Sequence, residues 1–242
     1  MDGVGILSYP DSMMSSRTLA ERLIMLQQPP AWWPTQATDS MSAMRTAAPV
    51  QMTRRWASVS NLRELAECVT DFLVGDLPFN PFCYDYRPAI ETAPIVHHLV
   101  QLNRLGLATD CSQPGLDRGD LRQRAYVSGL ADLDLARHLD EQLVHTDLVA
   151  FIAPLLEPHE SVDLWLDVPV TLLERSPVTW IGGRMAADDL FTGIAEETSL
   201  TAQDLAGYYS IQVMDPVWGR ADYLWDTLTT AVKTPSLDGR SA

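Results

Sequence analysis

One helix-period stripe constrains this chain more than any other feature. Ile95, Val96, Leu99, Leu102 and Leu105 recur at three- and four-residue steps between two backbone stops, Pro94 and Gly106. That spacing places the apolar side chains on one face of a helix, and the face must pack on a core. Thr92 stands where an N-cap is expected, Pro94 falls in the first turn where a missing N–H costs little, and Gly106 ends the run. Glu91 then lies at the positive end of that helix, where a carboxylate is stabilised and can also accept hydrogen bonds from ligand hydroxyls or an amine. Capping is the commoner use of such residues, and the local spacing leaves both uses open.

The remaining pattern alternates between helical and extended periods. A helix is expected over 61–75, with Leu62, Leu65, Ala66, Val69, Phe72 and Leu73 inward, Ser60 before it and Gly75 after it. An aromatic loop of Phe79, Phe82, Tyr84 and Tyr86 follows; such rings can stack on an adenine or fold down on the core. The segment 122–130 alternates as a strand, 132–143 reads as a helix, and 148–152, 162–166, 178–181 and 209–214 read as strands. A last helix runs through Leu224, Leu228 and Val232. Strands interleaved with helices predict an α+β (mixed α/β) fold in one domain. No GxGxxG loop follows a strand, which argues against a Rossmann methyltransferase or a dinucleotide fold.

Composition narrows the partners. Apolar residues make up 46% of the 242 positions and charged ones 20%, enough to bury a substantial core. The formal charge of −15, with no basic stripe, disfavours attraction to nucleic-acid phosphates or anionic membranes. Cys68, Cys83 and Cys111 are too few and scattered for a disulfide framework or a zinc ribbon, so reduced thiols in a cytoplasm are expected. Cys111 is expected as a small buried side chain at a strand end. His97 and His98 point about 100° apart on their helix and have no metal-ligand offset. One of the pair is expected to pack and the other to meet solvent.

The first fifty or so positions differ in character. Ser15-Ser16 can cap a short helix through Leu19, Leu23 and Leu26 that Pro29-Pro30, Trp32-Trp33 and Pro34 break, and a Thr-, Ser-, Ala- and Met-rich arm runs on to Val50. No cationic start precedes an apolar core, and no apolar run reaches membrane-spanning length. A cytoplasmic location without membrane attachment is therefore expected.

Several separated strings carry a family resemblance. Glu91-Thr92, the helix, and Asn103-Arg104-Leu105-Gly106-Leu107-Ala108-Thr109-Asp110-Cys111-Ser112-Gln113-Pro114 resemble the regulatory domain of eukaryotic-type methylenetetrahydrofolate reductase, which binds S-adenosylmethionine. Ser176-Pro177-Val178-Thr179-Trp180 resembles that family's AVTWG string, whose threonine contacts the ligand. Thr192 falls at the interval of a further family threonine, although Ile181-Gly182-Gly183-Arg184-Met185 replaces the family's residues between them. Arg55-Trp56 with Glu64-Leu65 is similar to the domain's opening. Tyr208-Tyr209-Ser210-Ile211-Gln212-Val213-Met214-Asp215 and Tyr223-Leu224-Trp225-Asp226-Thr227-Leu228 resemble its closing strand and helix. The family's glycine-rich insertion is shortened here to Leu116-Asp117-Arg118-Gly119-Asp120.

The resemblance implies a division into an N-terminal extension over 1–52, an S-adenosylmethionine-binding regulatory-like domain over 53–235 and a tail over 236–242. It implies ligand contacts from Glu91, Thr92, Thr109, Thr179 and Thr192, with Ser112 and Gln113 shaping the turn beside them. The family's flavin- and folate-binding barrel needs about 250 residues by itself, so no flavin reductase activity is expected. The first expectation is a stand-alone protein that binds S-adenosylmethionine or S-adenosylhomocysteine, senses the ligand and passes that state to a protein partner. The alternative is an S-adenosylmethionine-dependent enzyme, a methyltransferase or another sulfonium chemistry, using the same pocket with a second substrate. For it, Asp110, Cys111, His97 or Asp215 could supply a base. A third reading is an acidic partner-binding protein with no small ligand. Hydroxyls and a carboxylate suit a ribose and an amino-acid end, and a carboxylate near the sulfonium would favour the charged ligand over its demethylated product.

Overall fold

The computed structural model describes residues 50–77, 80, 88–155, 165–183, 194 and 198–233. Helix α1 (Val50–Ala57) spans the boundary expected at residue 53 and buries Trp56. Helix α2 (Leu62–Val74) is capped by Asn61, whose side chain accepts the Glu64 N–H, while Glu64 reaches back to the Ser60 N–H at 2.7 Å. The cap is thus one residue later than Ser60. Gly75 closes the helix in the left-handed conformation, and Leu62, Leu65, Ala66, Val69 and Phe72 are buried as their spacing predicts. The short helix expected near Ser15, the paired tryptophans, Cys83 and the aromatic loop lie outside the described residues.

The Pro94 segment corrects the expected single helix. A 3-10 turn, Ile90–Ile95, precedes helix α3, Val96–Arg104. Pro94 has no N–H for an i→i−4 bond and restricts the residue before it, so the entry tightens. Thr92 is therefore not an N-cap: it sits buried inside the turn, donating its N–H to the Ala89 carbonyl at 2.9 Å. At the other end Leu105 is exposed, correcting its place in the apolar stripe, because the helix has already ended there and Gly106 turns the chain at φ +102°.

The strands and later helices are β1 (Ala108–Gln113), β2 (Leu116–Arg118), β3 (Leu121–Gln123), β4 (Tyr126–Ala131), α4 (Leu133–Leu143) and β5 (Val149–Pro154). They continue as β6 (Trp165–Leu173), β7 (Ser176–Gly183), α5 (Ala202–Leu205), β8 (Tyr209–Met214) and α6 (Tyr223–Lys233). They form two antiparallel sheets with strand orders β1-β4-β8-β5 and β2-β3-β6-β7, giving a single α+β domain. The expected continuous strand over 122–130 is in fact two strands in different sheets. The break falls at Arg124 and Ala125, where the Arg124 N–H donates to Val170 O and Ala125 O accepts the Asp215 N–H. The Arg124 side chain donates to the carbonyls of Pro169 and Pro216 and lies over Trp218, so it joins β6 to the loop after β8.

Helices α3, α4 and α6 cover one face of the first sheet. Leu99, Leu102, Leu139, Leu143, Leu224 and Leu228 pack there on Val127, Ile211 and Val213. His98 half-packs against Trp225 and meets the Thr229 hydroxyl at 3.2 Å, while His97 is exposed, as expected. The opposite face packs at one end on α2 through Ala108 and Leu130. At the other end Tyr126 and Met214 meet Val170 and Ile181 of the second sheet. No helix among the described residues is long and apolar enough to cross a membrane.

Beyond β8, buried Asp215 accepts two hydrogen bonds from Arg220 and one from the Val217 N–H. Asp215 is thereby tied into the turn that follows β8. Replacing it by alanine removes the acceptor that closes the 215–220 turn while Arg220, partly exposed, stays hydrated; an unfolding titration should show a loss of about 1–3 kcal/mol. His98 supplies a pH test. Burial, then the neighbouring His97, lowers its pKa below the ordinary 6.5, so the unfolded chain binds that proton more readily than the folded one. Stability should fall as pH drops through 6.5, and His98→Gln should flatten that limb in thermal melts at stepped pH.

Candidate functional site

Consecutive strand residues face opposite sides of a sheet, so burial of Val127, Ile211 and Val213 against the helices fixes the orientation of their neighbours. Tyr126, Ser128, Gln212 and Met214 lie toward the second sheet, while Ser210, opposite Leu130, lies toward the α2 end of the same face. A sheet face sandwiched between two layers is ordinarily apolar. Here much of it is polar, and the polar side chains converge on a seam between the two sheets.

Edge strand β1 adds to that seam through a bulge. Thr109 pairs with Gly129 and Cys111 with Ser128, so Asp110 is the extra residue. Because Gly129 and Ser128 are adjacent, Thr109 and Cys111 face opposite sides. Asp110 folds onto the Ser128 side: its Oδ1 accepts the Cys111 N–H at 2.7 Å and the Ser128 hydroxyl at 2.5 Å. Cys111 is solvent-accessible, correcting the buried side chain expected there, and its Sγ lies 2.8 Å from the Tyr126 hydroxyl. Burial is nevertheless the largest influence on Asp110 and on Cys111, raising the carboxyl and pushing the thiol up to about 11. Both residues are nonetheless exposed on the edge strand. A thiol with that pKa stays protonated at neutral pH and is a poor nucleophile.

Glu91 enters the same seam from the 3-10 turn. Gln123 Nε2 donates to Glu91 Oε2 and to Gln113 Oε1, both at 3.4 Å. The Thr171 hydroxyl donates to Gln113 Oε1 at 2.8 Å, and Gln113 Nε2 is anchored on the carbonyls of Arg124 and Val170 at 2.9 Å each. Gln123 is 1% exposed, and its Oε1 has no partner; Ser210 Oγ, also buried, has none. Burial raises the Glu91 carboxyl above its ordinary value, the Gln123 bond offsetting this only in part.

The residues expected from the sequence thus divide. Glu91 and Gln113 share one hydrogen-bond network. Thr179 pairs with Thr171 and lies two positions from Ile181, which packs on Tyr126, so it faces the same seam. Thr92 lies buried in the turn that carries Glu91. Thr109 and Ser112 face the helical layer, and the Thr109 hydroxyl accepts from Asn103 Nδ2 at 2.7 Å. Thr192 lies outside the described residues. Sequence reasoning missed Gln123, Thr171, Tyr126 and Ser128, which belong to no motif and meet only when the sheets pack. Among the described residues no three His, Cys, Asp or Glu side chains gather as a metal-ligand set.

A family model described as Domain of unknown function (DUF6919) matches residues 51–235. No curated protein matches the chain.

A partly buried carboxylate whose charged form is disfavoured by its surroundings, as at Glu91, weakens the fold wherever it is charged. Glu91→Gln, which keeps the shape and removes the charge, should raise the melting temperature at pH 7 and give no gain at pH 4, where the wild-type group is largely protonated.

Proposed function

We propose that this chain, which belongs to the DUF6919 family, binds S-adenosylmethionine or S-adenosylhomocysteine in the seam between its two sheets and acts as a ligand sensor. One observation carries the reading. Glu91, Gln113 and Thr179, three residues singled out by the resemblance to the methylenetetrahydrofolate reductase regulatory domain, come from three distant parts of the chain and face one polar seam. A partly buried carboxylate whose side-chain partner is a glutamine amide can accept hydrogen bonds from a ribose or bind an amine. The Gln113 and Thr171 side chains hold each other and the backbone, so the wall is preorganised before a ligand arrives.

Sensing fits the chemistry of the seam better than turnover does. The Cys111 thiol and the Tyr126 phenol are both raised by burial, so neither is poised as a nucleophile at neutral pH. Asp215, another base available to an enzyme, is tied to Arg220.

Calorimetry with S-adenosylmethionine and S-adenosylhomocysteine, followed by mass spectrometry of the recovered ligand, tests the proposal. The expected result is saturable binding with the ligand returned intact, weakened at least about tenfold by Glu91→Ala and several-fold by Thr179→Ala. Conversion of the ligand would instead establish an enzyme. Absence of binding to either compound would remove the adenosyl reading altogether.

A further inference from the structure

Gln113 is anchored on backbone, and that anchoring fixes the direction of the side-chain bonds around it. Its Nε2 donates to the carbonyls of Arg124 and Val170 at 2.9 Å each, so its Oε1 must face the other way, where it accepts the Thr171 hydroxyl at 2.8 Å. An acceptor in that place leaves the neighbouring amide one favourable orientation. Gln123 Nε2 lies 3.4 Å from Gln113 Oε1 and 3.4 Å from Glu91 Oε2, and an amide turned end for end would set its oxygen against both. The orientation is kept although it leaves Gln123 Oε1 buried without a partner among the described residues. A buried amide free to turn would not settle there. Gln123 is 1% exposed and Glu91 is partly exposed, so the amide backs the carboxyl and does not itself meet solvent.

We infer that Gln123 is a positioning residue of the seam: oriented by Gln113, it points an N–H at Glu91 and holds that carboxyl as a hydrogen-bond acceptor, one oxygen fixed and the other left to the ligand. This deepens the adenosyl-ligand reading and rests on it for the ligand's identity. The group received at Glu91 is then a donor, a ribose hydroxyl or an amine, and not a carboxylate or phosphate oxygen. Two amides anchored on backbone carry this preference, so it is set before the ligand arrives. Burial opposes it by favouring the protonated carboxyl, and the Gln123 bond works against burial. Thr171 has a different part. It fills Gln113 Oε1 but does not orient it, because the two carbonyls do.

The test reads Glu91 itself. Glutamate side chains carrying an isotope label are followed by NMR through a pH titration, and the Glu91 signal is the one missing from Glu91→Gln. Cys111 on β1 and Tyr126 on β4, titratable groups on which the Glu91 charge acts, stay protonated over that range. Asp110 on β1 also titrates, but it carries no label and its effect is common to all variants. Gln123→Leu and Gln113→Leu should both move the Glu91 titration to higher pH, the second although Gln123 alone bonds the Glu91 side chain among the described residues. Thr171→Val should leave it in place. By calorimetry at pH 7, Gln123→Leu should also weaken S-adenosylmethionine binding about fivefold. Gln123→Met takes its place if Gln123→Leu does not fold. An unmoved Glu91 titration in the Gln123 variant would overturn the inference and leave the adenosyl reading standing. So would equal shifts in Thr171→Val and Gln113→Leu, which would mean loosened packing and not orientation. Titration shifts as expected, with no adenosyl binding by the wild type, would overturn the adenosyl reading and keep the role of Gln123.

Discussion

One short stretch of backbone carries the chain from one sheet into the other and bonds to both sides. Arg124 and Ala125 belong to neither sheet. The first donates its N–H to Val170 in the second sheet, and the second accepts from Asp215 beyond the last strand of the first. The Arg124 guanidinium repeats the connection through Pro169 and Pro216. With β3 and β4 fixed on either side of this crossing, Gln123 and Tyr126 become opposite walls of one seam although only two residues separate them. Asp215 and Arg220 then lock the turn that the crossing leans on, a buried carboxylate paired with a partly exposed guanidinium.

The two faces of the first sheet follow different rules. Against the helices, aliphatic side chains interdigitate and supply most of the driving force for folding. Toward the second sheet, the apolar contact is confined to a small cluster around Tyr126, Val170, Ile181 and Met214, and the rest is hydroxyl, amide, thiol and carboxylate. Buried polar groups are normally paired in full, and those of the seam are paired only in part. Glu91 and Asp110 add carboxyls raised above their ordinary values, chiefly by desolvation. A surface of this kind contributes less to stability than an apolar one. The helical face carries the stability that the seam gives up.

Much of this architecture was legible in the chain itself. The three- and four-residue steps of the apolar residues located α2, α3, α4 and α6, and alternation located β5, β7 and β8, because burial on one face imposes a period whatever lies opposite. Glycines at 75 and 106 marked helix ends because each adopts a left-handed backbone there. The segment 122–130 was misread as one strand because alternation is identical whether a strand stays in its sheet or leaves it. Thr92 was misread as a cap because the tightening imposed by Pro94 depends on hydrogen bonds that spacing does not record.

The candidate site shows the same boundary more sharply. Sequence alone singled out candidate residues in the 91–113 region and the helix between them. It could not determine which way they point. One extra residue at Asp110 reverses the parity of β1, turning Thr109 toward the helices and its Asn103 partner while Asp110, Cys111 and Gln113 face the seam. Gln123, Thr171 and Ser128 enter only because strands distant in sequence pair and pack. Side-chain period is a property of the local backbone and so is written along the chain. The facing of a bulged strand, and the identity of what it faces, are set by hydrogen bonds between segments that meet only in the folded protein.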